Sequence, residues 1–180
     1  MLKMKHRPIV YVLALGFAGC GFSPTTPLET VPYVDVERYL GLWYEIARYP
    51  NSFQDQCFGG VTAEYSLRDD GRITVLNKCR EGSLDGPEDS TEGVARVVNQ
   101  ETNAELKVSF FLFFEGDYFI IDLDEDYQWA VVGEPSRRYL WILSRTPTMD
   151  QEVYDGILSR LEEKDYDPVG LVLTPQPPGS

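Results

Sequence analysis

The chain has 180 residues, 43% hydrophobic and 25% charged, enough for one globular domain with a core. It carries 29 acidic residues against 16 Lys and Arg, a net charge of −13, and its one histidine is His6. So acidic a chain excludes nucleic-acid binding as its main function, because phosphate contacts need a basic face.

Residues 1–19 read as a lipoprotein signal peptide. Lys3, Lys5 and Arg7 form a positive leader and Ile9 to Phe17 a short apolar run. Nine residues rise about 13 Å as a helix, against roughly 30 Å of bilayer hydrocarbon. The run is too short to span; an uncleaved anchor is the alternative. It ends Phe17-Ala18-Gly19-Cys20, which resembles the lipobox of bacterial lipoproteins, with Phe17 where Leu is usual. The resemblance implies that Cys20 becomes a lipidated N-terminus. Each buried CH₂ of its acyl chains would add about 0.8 kcal/mol of membrane affinity. Gly21, rather than Asp, implies sorting to the outer membrane by the same resemblance. Removal of 1–19 takes three basic residues and no acid. It leaves 161 residues, 13 basic against 29 acidic, a net charge of −16 and no histidine. A His-dependent triad and His-ligated zinc or haem are then excluded, and no metal or cofactor is expected. Residues 20–32 contain Pro24, Pro27 and Pro32 and read as a flexible tether.

Residues 33–180 form the domain. Strands are expected near 42–49, 61–68, 72–79, 91–99, 105–113, 117–123, 128–133 and 139–144. Asp69-Asp70-Gly71 is a hairpin turn; Glu115-Gly116-Asp117, Asp124-Glu125-Asp126 and Pro135-Ser136-Arg137-Arg138 are further turns. The expected fold is an all-β, eight-stranded antiparallel up-and-down β-barrel, with a sandwich as the alternative. Thr148 and Gln151 resemble a helix capping box. Val153, Ile157 and Leu161 recur every four residues beside Tyr154 and Leu158, one apolar face of a helix packed on the barrel wall. A short strand, Leu171 to Thr174, precedes a Pro-rich tail.

If the strands form a meander, the loop 50–60 and the end of strand three share one end of the barrel. Cys57 and Cys79 then meet, which suits a disulfide in an oxidising compartment. A redox-active pair is the alternative, and two thiols without histidine cannot complete a structural zinc site. The opposite end brings together Gly41, Trp43, Asp126, Tyr127 and Arg145. These residues would close the floor, with the guanidinium over the indole.

The same residues carry a family resemblance. Gly41-Leu42-Trp43-Tyr44-Glu45 is similar to the Gly-x-Trp signature of lipocalins, Asp126-Tyr127 to their second motif and Leu143-Ser144-Arg145 to their third. Longer stretches, Tyr39 to Arg48, Tyr65 to Gly71, Leu106 to Phe111 and Tyr139 to Pro147, resemble the bacterial outer-membrane lipocalins. Leu112 to Asp117 departs from the pattern, since relatives often have a Gly-rich turn there.

An eight-stranded barrel has room for side chains and one small ligand. Alternation and family register point Glu45, Ala47, Val61, Ala63, Tyr65, Ile73, Val75, Asn77, Ala95 and Val97 inward. Leu106, Val108, Phe110, Tyr118, Ile120, Asp122, Ala130, Val132, Trp141 and Leu143 complete the set. The ligand contacts are expected from Glu45, Ala47, Ala63, Tyr65, Val75, Asn77, Val108, Phe110, Tyr118, Ile120, Asp122 and Trp141. That lining suits an elongated apolar ligand with a polar head; a filled core is the alternative.

The resemblance implies a non-enzymatic lipid-binding lipoprotein of the outer membrane, on its periplasmic side, that stores or transports a fatty acid or lysophospholipid for envelope maintenance. The net charge favours a zwitterionic lysophospholipid over a bare anion. Two other functions are carried as alternatives. One is an enzyme acting on a lipid in the cup, with acid–base work at Glu45, Asp122 or Tyr118. The other is a structural module that binds a partner or forms a homodimer.

Overall fold

The computed structural model describes residues 26–111 and 114–177. The signal peptide and Cys20 therefore lie outside the described residues. A four-residue helix α1 (Val36–Tyr39), capped by the Asp35 side chain, leads into β1 (Gly41–Arg48). There follow β2 (Cys57–Leu67), β3 (Ile73–Glu81), β4 (Glu88–Val97), β5 (Glu105–Phe111), β6 (Phe114–Leu123), β7 (Trp129–Gly133) and β8 (Leu140–Ser144). Each strand pairs antiparallel with the next, and β1 pairs with both β2 and β8, which closes the barrel. Helix α2 (Gln151–Glu163) and β9 (Val172–Leu173) complete the fold.

Two expectations about element ends are corrected. Strand β6 begins at Phe114, so Glu115-Gly116-Asp117 lies within a strand and not in a turn. Ion pairs from β5 and from β4 beyond it hold its polar residues there, Lys107 to Asp117 at 2.7 Å and Arg96 to Glu115 at 2.9 Å. The Thr148–Gln151 capping box does not form. Helix α2 starts after Asp150, Gln151 donates to Asp155 at 2.8 Å, and the Thr148 carbonyl accepts from the Thr146 hydroxyl.

The barrel wall separates two apolar clusters. Trp43, Tyr65, Ile73, Val75, Ala95, Leu106, Ile120, Ala130, Val132 and Leu143 lie inside. Ile46, Ala47, Ile121, Val131, Leu140 and Ile142 face the other way and pack on Ile157 and Leu161 of α2. Strands β7 and β8 are apolar on both faces because both faces are covered.

Two β-bulges sit in this wall. One shifts the β1–β8 register between Glu45 and Ala47, the other the β6–β7 register between Ile120 and Asp122. An extra residue in one strand interrupts the alternation of faces. Beyond the first bulge Ala47 joins Ile46 on the helix side. Beyond the second, the Asp122 carboxylate accepts from Arg160 of α2 at 2.7 Å. Neither residue faces the cup, so both inward expectations are corrected.

The N-terminal segment lies along the wall. The Thr26 carbonyl accepts from Arg137, Leu28 packs on the helix-side cluster, Val31 N–H donates to Ile120 and Val34 N–H to Thr102. The tether expected over 20–32 is thus held against the barrel from Thr26 onward.

Candidate functional site

The floor is built around Trp43, which is fully buried and donates its indole N–H to the Tyr39 carbonyl at 2.8 Å. The Arg145 guanidinium lies 3.8 Å from the Trp43 ring and donates to three carbonyls, those of Arg38, Leu42 and Tyr127. Gly41 holds φ +91° beside that guanidinium, a conformation that L side chains rarely adopt. The Tyr127 hydroxyl accepts from the Asp35 N–H, and Arg38 covers its ring at 4.1 Å. Asp126 itself is exposed in the turn, where its N–H donates to Asp124.

Above the floor three phenols form a chain. The Tyr118 hydroxyl lies 2.8 Å from that of Tyr39 and 2.8 Å from that of Tyr65. Burial pushes all three hydroxyls above the ordinary tyrosine range, that of Tyr65 to about 12. They therefore remain protonated donors at neutral pH. Three O–H groups share two hydrogen bonds, so one O–H remains to donate to something else. Tyr65 and Tyr118 line both a void of about 20 Å³ beneath the trio and the main cavity above it.

That main cavity measures about 760 Å³, within the range of small-molecule sites. Val61, Ala63, Tyr65, Val75, Val108, Phe110, Tyr118, Val132, Trp141 and Leu143 form most of its apolar wall, with Asn77 and Glu45 as polar points. Gly93 makes room for Phe110: a Cβ there would come within 2.6 Å of the ring. At the mouth, Phe53 packs against Tyr139 and Trp141, with ring centroids 5.4 and 6.2 Å away. Asp89, Glu115, Asp117 and Glu134 line the rim against Lys78 and Arg138.

Glu45 is buried and fully engaged. Its carboxylate accepts from Arg48 at 2.9 Å, from Gln54 at 2.9 Å and from the Thr174 hydroxyl. The Gln54 carbonyl accepts in turn from Trp141 at 3.0 Å and Asn51 at 2.8 Å, which pins the β1–β2 loop to the cavity wall. The segment after β9 inserts between β1 and β2. Thr174 N–H donates to Ile46, Gly60 N–H to Pro175, and the Gln176 amide to the carbonyls of Glu45 and Val61. Cys57 and Cys79 are disulfide-bonded at the mouth, joining the ends of β2 and β3.

Of the residues expected to contact a ligand, ten face the barrel interior. Glu45, Ala63, Tyr65, Val75, Asn77, Val108, Phe110, Tyr118 and Trp141 line the main cavity, and Ile120 lies lower, against the small void. Ala47 and Asp122 are on the helix side of the wall. Glu45 and Asp122 therefore do not form a carboxylate pair. Sequence reasoning missed Tyr39, Phe53, Gln54, Tyr139 and Thr174. Phe53 and Gln54 sit in a loop and Tyr39 in a helical turn, where strand alternation gives no signal.

Over residues 34–176 the chain matches the family described as the lipocalin-like domain. It is 42% identical over 180 residues to the outer membrane lipoprotein Blc of Escherichia coli (strain K12), which covers 98% of this chain and 100% of that protein. It is 41% identical over 157 residues to temperature-induced lipocalin-1 of Arabidopsis thaliana, covering 83% of each. Insecticyanin from the tobacco hornworm Manduca sexta shares the fold with a TM-score of 0.69 at 18% identity, over 88% of each chain.

Proposed function

Because the chain belongs to the lipocalin family, we propose that it is a lipid-binding lipoprotein that stores or transports a lysophospholipid or fatty acid at the bacterial outer membrane. Cys20 is the lipid anchor and the barrel lies on the periplasmic side. The observation that carries this reading is the cavity of about 760 Å³, apolar along its length and polar at its rim. An acyl chain entering it is removed from water at roughly 25 cal/mol per Å² of apolar surface. No bond is made or broken in this function, and Glu45 holds the wall together without acting on a ligand. The net negative charge of the chain favours a zwitterionic head group over a free carboxylate.

Native mass spectrometry of the protein purified from its own host tests the reading. The expected result is a mass increment equal to one lysophospholipid or fatty acid, lost on delipidation and regained on adding lysophosphatidylcholine. Protein that arrives empty and takes up neither lipid overturns it.

A further inference from the structure

We propose that the N-terminal tether holds the barrel mouth-first, with the open end of the cup against a lipid bilayer. The inference rests on reading Cys20 as the anchor and adds an orientation to it. Arg137 carries the argument. Its side chain is only 8% exposed, and it donates to the Lys164 carbonyl at 2.7 Å and to the Thr26 carbonyl at 3.0 Å. Thr26 is thereby fixed beside the β7–β8 loop, whose Glu134, Arg138 and Tyr139 line the mouth of the cavity. From there the chain descends the wall to Val34, which donates to Thr102 in the floor-end turn between β4 and β5.

Reach decides which end faces the membrane. Cys20 precedes Thr26 by six residues, which span at most about 20 Å. A ten-residue strand such as β6 runs roughly 33 Å and, tilted in a barrel, covers about 25 Å of its axis. An anchor leaving at the mouth is therefore too short to let the floor rest on the bilayer. Exposed apolar side chains do not by themselves choose an end, since Leu42, Leu67 and Val98 are exposed toward the floor. At the mouth end, however, Phe53 (54% exposed), Phe58 (49%) and Val169 (90%) stand where the tether delivers them to the lipid. The net negative charge of the chain disfavours an anionic surface, so the surface that fits is zwitterionic.

The test uses the full chain, acylated in a host with a lipoprotein pathway and reconstituted in phosphatidylcholine vesicles. Acylation of Cys20 is first verified by intact mass. An unmodified Cys20 defeats the anchor reading, and the orientation with it. With acylation verified, hydrogen–deuterium exchange is compared with that of detergent-solubilised protein. Exchange several-fold slower in 50–56, 82–87 and 134–138, with 69–71 and 124–128 unchanged, is the expected result. Slowing at the floor turns, or equal slowing at both ends, overturns the orientation while leaving lipid binding intact. A non-acylated chain that begins at Gly21, without leader or acyl chains, is expected to show no slowing at either end. The same mouth-end pattern in that variant would overturn the tether as its cause.

Discussion

Tyr118 joins two partners with one hydroxyl, and its loss would strand both Tyr39 and Tyr65 in an apolar interior. Tyr118→Phe is expected to cost about 1–3 kcal/mol, read as a lower urea midpoint, because the deleted oxygen leaves two buried hydroxyls short of a partner. The same trio sets an alkaline limit. Burial raises the Tyr65 hydroxyl to about 12, above its unfolded value near 10, so the folded state prefers the protonated phenol. The contribution is complete below about pH 10 and is lost as pH rises toward 12. Urea midpoints are expected to fall between pH 10 and 12, and less steeply in Tyr65→Phe; parallel curves for the two proteins would refute this. The floor residues Gly41, Trp43, Tyr127 and Arg145 were legible because each lies in a short local motif. Tyr39 was not, since nothing in the sequence marks a helical turn as one wall of a phenol chain.

At the scale of elements, alternation named most of the interior correctly and failed at two bulges. The failures share a cause. Ile46 and Ile121 are apolar, so each suits either face of a wall that is covered on both sides, and the pattern gives no sign that a residue has been added. Asp122 carried a partial clue, because an unpaired carboxylate is costly inside an apolar cup and its partner had to come from elsewhere. That partner, Arg160, lies on the face of α2 that covers the wall. The helix was legible from its four-residue apolar spacing, whereas its cap was not, because Asp150 competes with Thr148 for the same position. Strand direction brought Cys57 and Cys79 to one end, and the oxidising compartment implied by the leader favoured the disulfide that they form. A Cys57→Ser/Cys79→Ser variant is expected to lose about 3 kcal/mol, measured by chemical denaturation, since the bond closes a loop with a sequence separation of 22.

The whole molecule divides its apolar material between an inner cluster and a helix-covered outer one. The outer cluster contains fully buried Leu140, Ile142, Ile157 and Val131. Its stabilisation does not depend on filling the cup, so a large cavity is compatible with a folded chain. Net charge acts at this scale as well. The charge of −13, or −16 without the leader, and the acids at the rim set a repulsive field at the mouth. That field is screened over a Debye length of about 10 Å at 0.1 M salt. Binding of a fatty-acid anion is expected to strengthen several-fold from low to moderate salt, while lysophosphatidylcholine binding stays level. Titrations with both ligands check this, and anion binding that weakens with salt would contradict it.

The segment wedged between β1 and β2 has a kinetic consequence. Thr174 and Gln176 meet Glu45 across sequence separations of 129 and 131. Loop closure over such distances delays contact formation, so this joint forms after the hairpins of the meander have zipped. A joint made of few hydrogen bonds also opens first when the native state breathes. The amides of Gly60 and Thr174 are accordingly expected to exchange ahead of the β3–β4 ladder. The order in which the parts of the barrel come undone is thus written into the spacing of their contacts.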